Sequence, residues 1–453
     1  MSSCHHRFFS SPQEATKAEP EKLLYVVCLY VGTKNEQQPD YLAMIDVDPS
    51  SPTYSTVVSR TPVPYVGDEL HHFGWNTCCS SPQKDTLARR YLIAGGQRSG
   101  RIYIFDTADE KHPKIHHIIE PEQLKSKVNL GAPHTVHCLP NGNIMISMLG
   151  DSETNNPGGF LLLDQQFQIL GHWEKDMKGV DFNYDFWYQP RYNIMVSTEW
   201  AAPKTYFQGF HMEDVKNGKY GKKLHFWDWK EQKLVQSIDL GEDGWLPLEV
   251  RFHHNPDSCH GYVGAALSSN IFHIFQSSNG TNEWKAEKVI SVPPVVPEND
   301  STPVPAVITD ILISMDDRFL YFSDWLHGDV RQYDISEPSK PRLTGQLWLG
   351  GLLGKTCKVG DHTLGGGPQM LQLSLDGTRL YVTNSLFSSW DNQFYPEIAD
   401  RGSYLVKVNC NTEQGGMELD HSFFVDFGKE PGGPCRAHEV RYPGGDCTSD
   451  IWI

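Results

Sequence analysis

Apolar and polar positions alternate along this chain in short runs, and the runs come in pairs split by a brief polar break. Residues 24–30 lead to 41–46, 90–94 to 101–106, 143–148 to 159–164 and 193–198 to 224–228. Three more pairs follow: 261–267 with 271–276, 318–323 with 330–334, and 379–383 with 403–409. The second run mostly ends near an acidic turn, as at Asp46, Asp106, Asp164, Asp228 and Asp334, with Asn409 in the last pair. A recurrence of roughly 60 residues signals stacked or radial units. Runs such as Arg101-Ile-Tyr-Ile-Phe-Asp106 read as antiparallel strands. A third run precedes several pairs, at 134–139 before Asn141-Gly142, at 308–315 before Asp316-Asp317 and at 371–375 before Asp376-Gly377. These Asn, Asp and Gly pairs are tight-turn chemistry. A fourth run follows at 168–173, 234–240 and 343–349. Four strands per unit and seven units predict an all-β chain, a seven-bladed β-propeller with little helix.

The last residues, 437–453, repeat the start of a unit: His438-Glu-Val-Arg-Tyr, a Pro443-Gly-Gly-Asp446 turn, then 450–453, with no blade after them. They are predicted to supply the inner part of the first blade, so that the ring is closed by the C-terminal strand and leaves no open edge. Radial repetition lets 453 residues form one domain, 21–453, preceded by a flexible tail over 1–20. Residues 293–305 and 350–367 are the expected excursions from the blades.

A formal charge of −17 argues against a nucleic-acid partner, which draws on a basic surface. No run reaches the roughly 20 apolar residues of a membrane span, and the first residues lack the apolar core of a secretory signal. Ten cysteines are too sparse for a disulfide scaffold, so a reducing cytosol is the expected compartment.

Twenty histidines focus attention on where each falls. If every inner strand starts at one face of the ring, the loop after the second strand returns to that face. His71, His72, His134 and His438 open inner strands near the axis, as does Asp310. Glu199, Trp200, His327 and Trp390 reach the same face from return loops. Imidazoles converging from separate strands make a metal site, although any one of them alone reads equally well as a hydrogen-bonding core residue. His137 follows His134 by three positions, and ordinary pleating points the two to opposite faces unless a bulge intervenes. His253 and His254 fall on the far face. Cys78 and Cys79 read first as partly buried thiols and second as activated thiolates beside the imidazoles; Cys138 is the cysteine nearest the histidines in sequence. Trp200, Trp325 and Trp390 are placed to wall a small apolar pocket.

Asp68-Glu-Leu-His-His-Phe-Gly-Trp-Asn76 closely resembles the selenium-binding protein family, whose members include methanethiol oxidases. The likeness continues through His134-Thr-Val-His-Cys138, Tyr184-Asp-Phe-Trp-Tyr-Gln-Pro190, Ser197-Thr-Glu-Trp-Ala-Ala-Pro203, Trp325-Leu-His-Gly-Asp329, Trp390-Asp-Asn-Gln-Phe-Tyr-Pro396 and the terminal 438–453. The resemblance implies an enzyme that oxidises methanethiol with O2 and water to formaldehyde, hydrogen sulfide and hydrogen peroxide, with copper as cofactor. His71, His72, His134, His327 and His438, with His137, are then the implied ligands. Glu199 or Asp310 is the candidate base for the methyl proton, and Trp200 and Trp390 shape the substrate pocket. The rival implied by the same family is a non-catalytic selenium carrier or a platform in intra-Golgi protein transport, with nuclear and peripheral-membrane locations. Two positions depart from relatives that carry Cys-x-x-Cys and a selenium-linked cysteine: Cys78 and Cys79 are adjacent, and Ser55 stands at the second site.

Overall fold

The computed structural model describes residues 8–78, 87–277, 282–297, 301–355 and 357–453. Seven four-stranded antiparallel sheets surround one axis. From the axis outward, blade 1 is Arg436–Arg441, Leu23–Leu29, Tyr41–Asp46 and Thr56–Pro62, and the C-terminal strand therefore closes the ring. Blades 2 to 7 follow in chain order, with inner strands Leu70–Trp75, Gly131–Cys138, Phe186–Gln189, Pro247–Phe252, Ile308–Ile313 and Leu371–Leu373. One extra two-stranded hairpin, Lys358–Val359 with His362–Thr363, occupies the second expected excursion.

Burial follows distance from the axis. Inner strands such as Leu70–Trp75 and Pro247–Phe252 are buried at every position, whereas the outermost strand of blade 4, Lys233–Asp239, alternates exposed and half-buried residues. Strands flanked on both faces read as continuous apolar runs, and outer strands with one wet face read as alternation. Where a loose tail is expected, residues 12–15 form one helical turn, and Ala15 packs into the core shared by blades 1, 6 and 7.

The end of the chain departs from expectation. Residues 450–453 form no strand, because the Asp446 carboxylate accepts from the backbone N–H groups of Thr448 and Ser449 and from both their hydroxyls. Such local side-chain bonds compete with ladder pairing. The buried segment instead crosses the end of the axis where inner strands finish, touching His137 of blade 3, Arg191 of blade 4 and Gln372 of blade 7.

Gly328, in the hairpin loop of blade 6, has φ of 93°, and a Cβ there would lie 2.0 Å from the Gly350 carbonyl oxygen. Gly328→Ala is expected to destabilise the fold by more than about 3 kcal/mol. A urea midpoint unchanged within error would show that this loop yields.

Candidate metal centre

Four inner strands carry the same irregularity at the same height. The ladder shifts register between Leu70 and Phe73, Pro133 and Val136, Pro247 and Val250, and Ile308 and Asp310. Beside each shift a non-glycine residue takes positive φ: Glu69 at 55°, Ala132 at 53°, Leu246 at 56° and Val307 at 57°. Each costs of order 1–3 kcal/mol, and strain of this kind gathers at functional sites. The bulge in blade 2 lifts His71 and His72 out of the ladder, so two neighbours that pleating would send apart reach the same cluster.

His71, His72, His134 and His438 come together there, all buried. The rings of His71 and His438 stack at 3.8 Å, those of His72 and His134 lie 3.9 Å apart, and His71 is 4.7 Å from His72. One ring nitrogen each from His71, His72 and His438 falls within 4.8 Å of the other two.

Acceptors around the cluster fix the tautomers. His438 Nδ1 donates to the Ser385 carbonyl at 2.6 Å, and His72 Nδ1 donates to the Glu439 carboxylate at 3.1 Å. The Thr135 hydroxyl gives its proton to Asp185, so it accepts from His134 Nδ1 at 3.0 Å. All three imidazoles therefore present a lone pair on Nε2, and each of these buried Nε2 atoms lacks a hydrogen-bond partner. Ligating histidines are held in this way in metalloproteins, by a carboxylate, carbonyl or hydroxyl on the opposite nitrogen. The convergent set of nitrogen donors fits copper and equally fits zinc.

Burial, reinforced by neighbouring cations and imidazoles, pushes His72 and His438 down to about 3. His71 and His134 are lowered well below 6.5 by the same causes. A lowered value keeps the ring neutral and able to ligate as pH falls, so proton competition for a bound metal is postponed. A metal ion loaded onto these nitrogens is expected to stay stoichiometric after dialysis from pH 7.5 to pH 5, as measured by metal analysis. Loss of half the metal by pH 6 would show rings of ordinary basicity.

Below the imidazoles the axis is filled with paired charge. Arg251 bonds Asp185 and Glu249, each at 2.7 Å, and lies 3.9 Å from Asp310; Arg441 pairs with Glu439. Above them stands an aromatic wall: Phe387 is 5.9 Å from His71, Tyr184 is 4.1 Å from His134, and Trp200 packs on Tyr206, Phe387 and Trp390. Trp200 and Trp390 are both buried in this wall, and Trp390 Nε1 donates to the Tyr206 carbonyl.

Other expected residues are placed elsewhere. His137 resumes regular pairing after the bulge, opposite Met145; its Nδ1 meets the Ser449 carbonyl, and its ring packs on Phe186 and Trp187 at the finishing end of the axis. His327 donates from Nε2 to the Val304 carbonyl and groups with Asp324 and Asp329 instead. Both oxygens of Glu199 are occupied, by His225 Nε2 and the backbone N–H groups of Phe182, Lys222 and Lys223. That carboxylate anchors a loop and leaves no oxygen to take a substrate proton. Asp310 keeps Oδ1 without a hydrogen bond while Oδ2 accepts from Leu371, and burial lifts its pKa to about 7. Cys78 is bonded to Cys138, tying blades 2 and 3 together at the finishing end, so the reading of two free thiols gives way to a crosslink. Cys79 lies outside the described residues. Ser55 bridges to the Phe424 backbone of blade 7. The sequence reading missed Glu439, Asp185 and Ser385, the residues that orient these rings. Glu439 beside His438 and Asp185 beside Tyr184 were visible only as inner-strand acids.

Fold and site together define a seven-bladed propeller with a buried cluster of convergent imidazoles on its axis. Residues 4–453 match the model of the 56 kDa selenium-binding protein family, and the chain belongs to that family. It is 51% identical to selenium-binding protein 2 of Arabidopsis thaliana over 98% of this chain and 95% of the relative. It is also 51% identical to a methanethiol oxidase of Xenopus laevis and 50% identical to that of Homo sapiens, each over 98% of both chains. A hypothetical selenium-binding protein of Sulfolobus tokodaii has the same structure, with TM-score 0.92, 45% identity and 99% coverage of both chains. The periplasmic gluconolactonase of Pseudomonas aeruginosa shares the fold alone, with TM-score 0.58 and 10% identity over 92% of this chain and 99% of the other. Among the described residues, no helix is long and apolar enough to cross a membrane.

Proposed function

We propose that this chain is a copper-dependent methanethiol oxidase, converting methanethiol, O2 and water to formaldehyde, hydrogen sulfide and hydrogen peroxide. The observation that carries the reading is the set of unpartnered Nε2 atoms on His72, His134 and His438 beside His71. Copper held by these four residues would supply electron transfer between a coordinated thiolate and oxygen, and would favour the thiolate over the thiol. The chain itself supplies the rest. Glu439, Ser385 and the Thr135–Asp185 pair hold the rings in one tautomer. Phe387, Trp200 and Trp390 form a buried apolar wall beside the imidazoles, a surface suited to a methyl group. Asp310, whose Oδ1 accepts no hydrogen bond although Arg251 lies 3.9 Å away and whose pKa burial raises to about 7, is the group suited to take and hold a proton near the axis.

Names of both kinds among the relatives keep a selenium carrier as the rival. The discriminating measurement is peroxide and formaldehyde release from methanethiol by purified chain, stripped of metal and then reloaded with copper. Turnover that copper restores supports the oxidase. Undiminished turnover in the stripped chain removes the copper mechanism, and none after loading favours the carrier.

A further inference from the structure

His327 does not join the axial cluster, and the surroundings it has instead point to a second site. Asp324 ends the second strand of blade 6, Phe319–Asp324, and Asp329 begins the third, Asp329–Asp334. The two residues face each other directly across the ladder, with Trp325-Leu-His-Gly328 looping between them. Like charges at opposed strand positions are destabilising unless something neutralises them, and here both carboxylates are fully buried. Arg331 answers part of this charge: its Nε lies 2.8 Å from Asp324 Oδ2 and 2.9 Å from Asp329 Oδ2. Gln346 donates to the same Asp329 oxygen at 2.6 Å. Two carboxylates against one guanidinium leave a negative charge over.

Asp324 Oδ1 and Asp329 Oδ1 are buried with no hydrogen-bond partner. His327 is buried with them, and the loop has already chosen its tautomer. Because the Val304 carbonyl can only accept, His327 Nε2 carries the proton, leaving Nδ1 as a lone pair that also has no partner. One ligand atom from each of the three residues lies within 4.8 Å of the other two. Oxygen, oxygen and imidazole nitrogen, preoriented and short of positive charge, form a ligand set for a divalent transition ion.

We propose that Asp324, His327 and Asp329 form a second divalent-cation site of the zinc or manganese class, separate from the axial histidines, with Arg331 and Gln346 holding the carboxylates. Its position between the second and third strands of blade 6 gives it a structural task. The ion would fix the loop bearing Trp325, whose ring packs on Phe394 and Tyr395 in the aromatic wall. The competing occupant is a proton shared by the two carboxyl groups, since burial and Asp329 together raise Asp324 well above the ordinary carboxyl range.

Zinc alone is the probe. Chelator-stripped full-length chain is titrated with zinc, the bound metal is counted, and the thermal midpoint is followed. The expected result is two equivalents for the parent chain and one for Asp329→Asn or His327→Ala. A His72→Ala/His438→Ala chain, which keeps the triad intact, should retain one equivalent and a zinc-dependent rise in midpoint. Adding Asp329→Asn to that chain should abolish both. The proposal is overturned if the axial variant binds no zinc, if the triad variants bind as much as the parent, or if the pair merely takes up a proton and excludes the ion. None of these readouts depends on thiol oxidation, so failure here leaves the oxidase reading untouched.

Discussion

A His438→Ala chain, treated with copper under conditions that load the parent, is expected to lose methanethiol turnover by about 100-fold or more and to bind copper correspondingly weakly. Even partners that merely orient a ligand typically contribute 10–100-fold to affinity or activity, so removing a ligand sets that as a floor. His438 stacks on His71 and sits 5.1 Å from His72, so its loss opens one side of the cluster. The deletion also strands the Ser385 carbonyl, a cost of about 1–3 kcal/mol that a domain of ordinary stability tolerates. His137→Ala is the informative control. That ring is as buried and as firmly packed, but at the opposite end of the axis, so its removal should disturb stability while leaving copper stoichiometry and turnover within a few-fold. Equal losses in the two variants would mean that activity tracks general integrity of the core, and the cluster would lose its claim to be the reaction centre.

Ending the chain at residue 435 is expected to abolish cooperative folding altogether. The deleted segment contains the inner strand of blade 1, every residue of it buried, and the plug that follows. Val440, Tyr442, Ile451 and Trp452 are all core side chains. At about 1.5–3 kcal/mol for each large apolar group, their loss amounts to roughly 6–12 kcal/mol, comparable to the entire stability of a typical domain. Arg436, paired with Asp391, goes as well, leaving that buried carboxylate without its counter-charge. The exposed edge of Leu23–Leu29 would be free to pair with other chains. Size-exclusion chromatography and a thermal melt by circular dichroism decide the matter: a monomer melting cooperatively within a few degrees of the parent would show that the ring closes without this strand. Because the strand also carries His438 and Glu439, the strand that closes the ring also completes the imidazole cluster.

The architecture was legible because propeller blades are local objects. Blades 2 to 7 each pair strands adjacent in sequence, and the alternation of 101–106 or the Asp376-Gly377 turn records its blade without help from the rest of the chain. The closure was legible for the same reason, since 436–441 repeats an inner-strand pattern with no blade of its own to join. The axial histidines were found because they open inner strands, a position that reading by repeat assigns. His327 opens a return loop on the same face, and face alone does not measure distance from the axis; only its packing against Val304 and the two aspartates separates it from the others. Glu199 was misjudged in the same way, because backbone N–H groups that occupy a carboxylate leave no trace in composition or spacing.

The sequence by itself determined the seven blades, their order, the strand that closes them and the face on which the imidazoles gather, because each follows from periodicity and turn chemistry acting over a few residues. Tertiary structure alone decided which imidazoles meet. That depended on bulges aligned across four blades, on acceptors brought from Glu439, Ser385 and Asp185, and on the Cys78–Cys138 crosslink at the other end. These are contacts between residues far apart in the chain, fixed only when the ring is complete, and no local pattern encodes them.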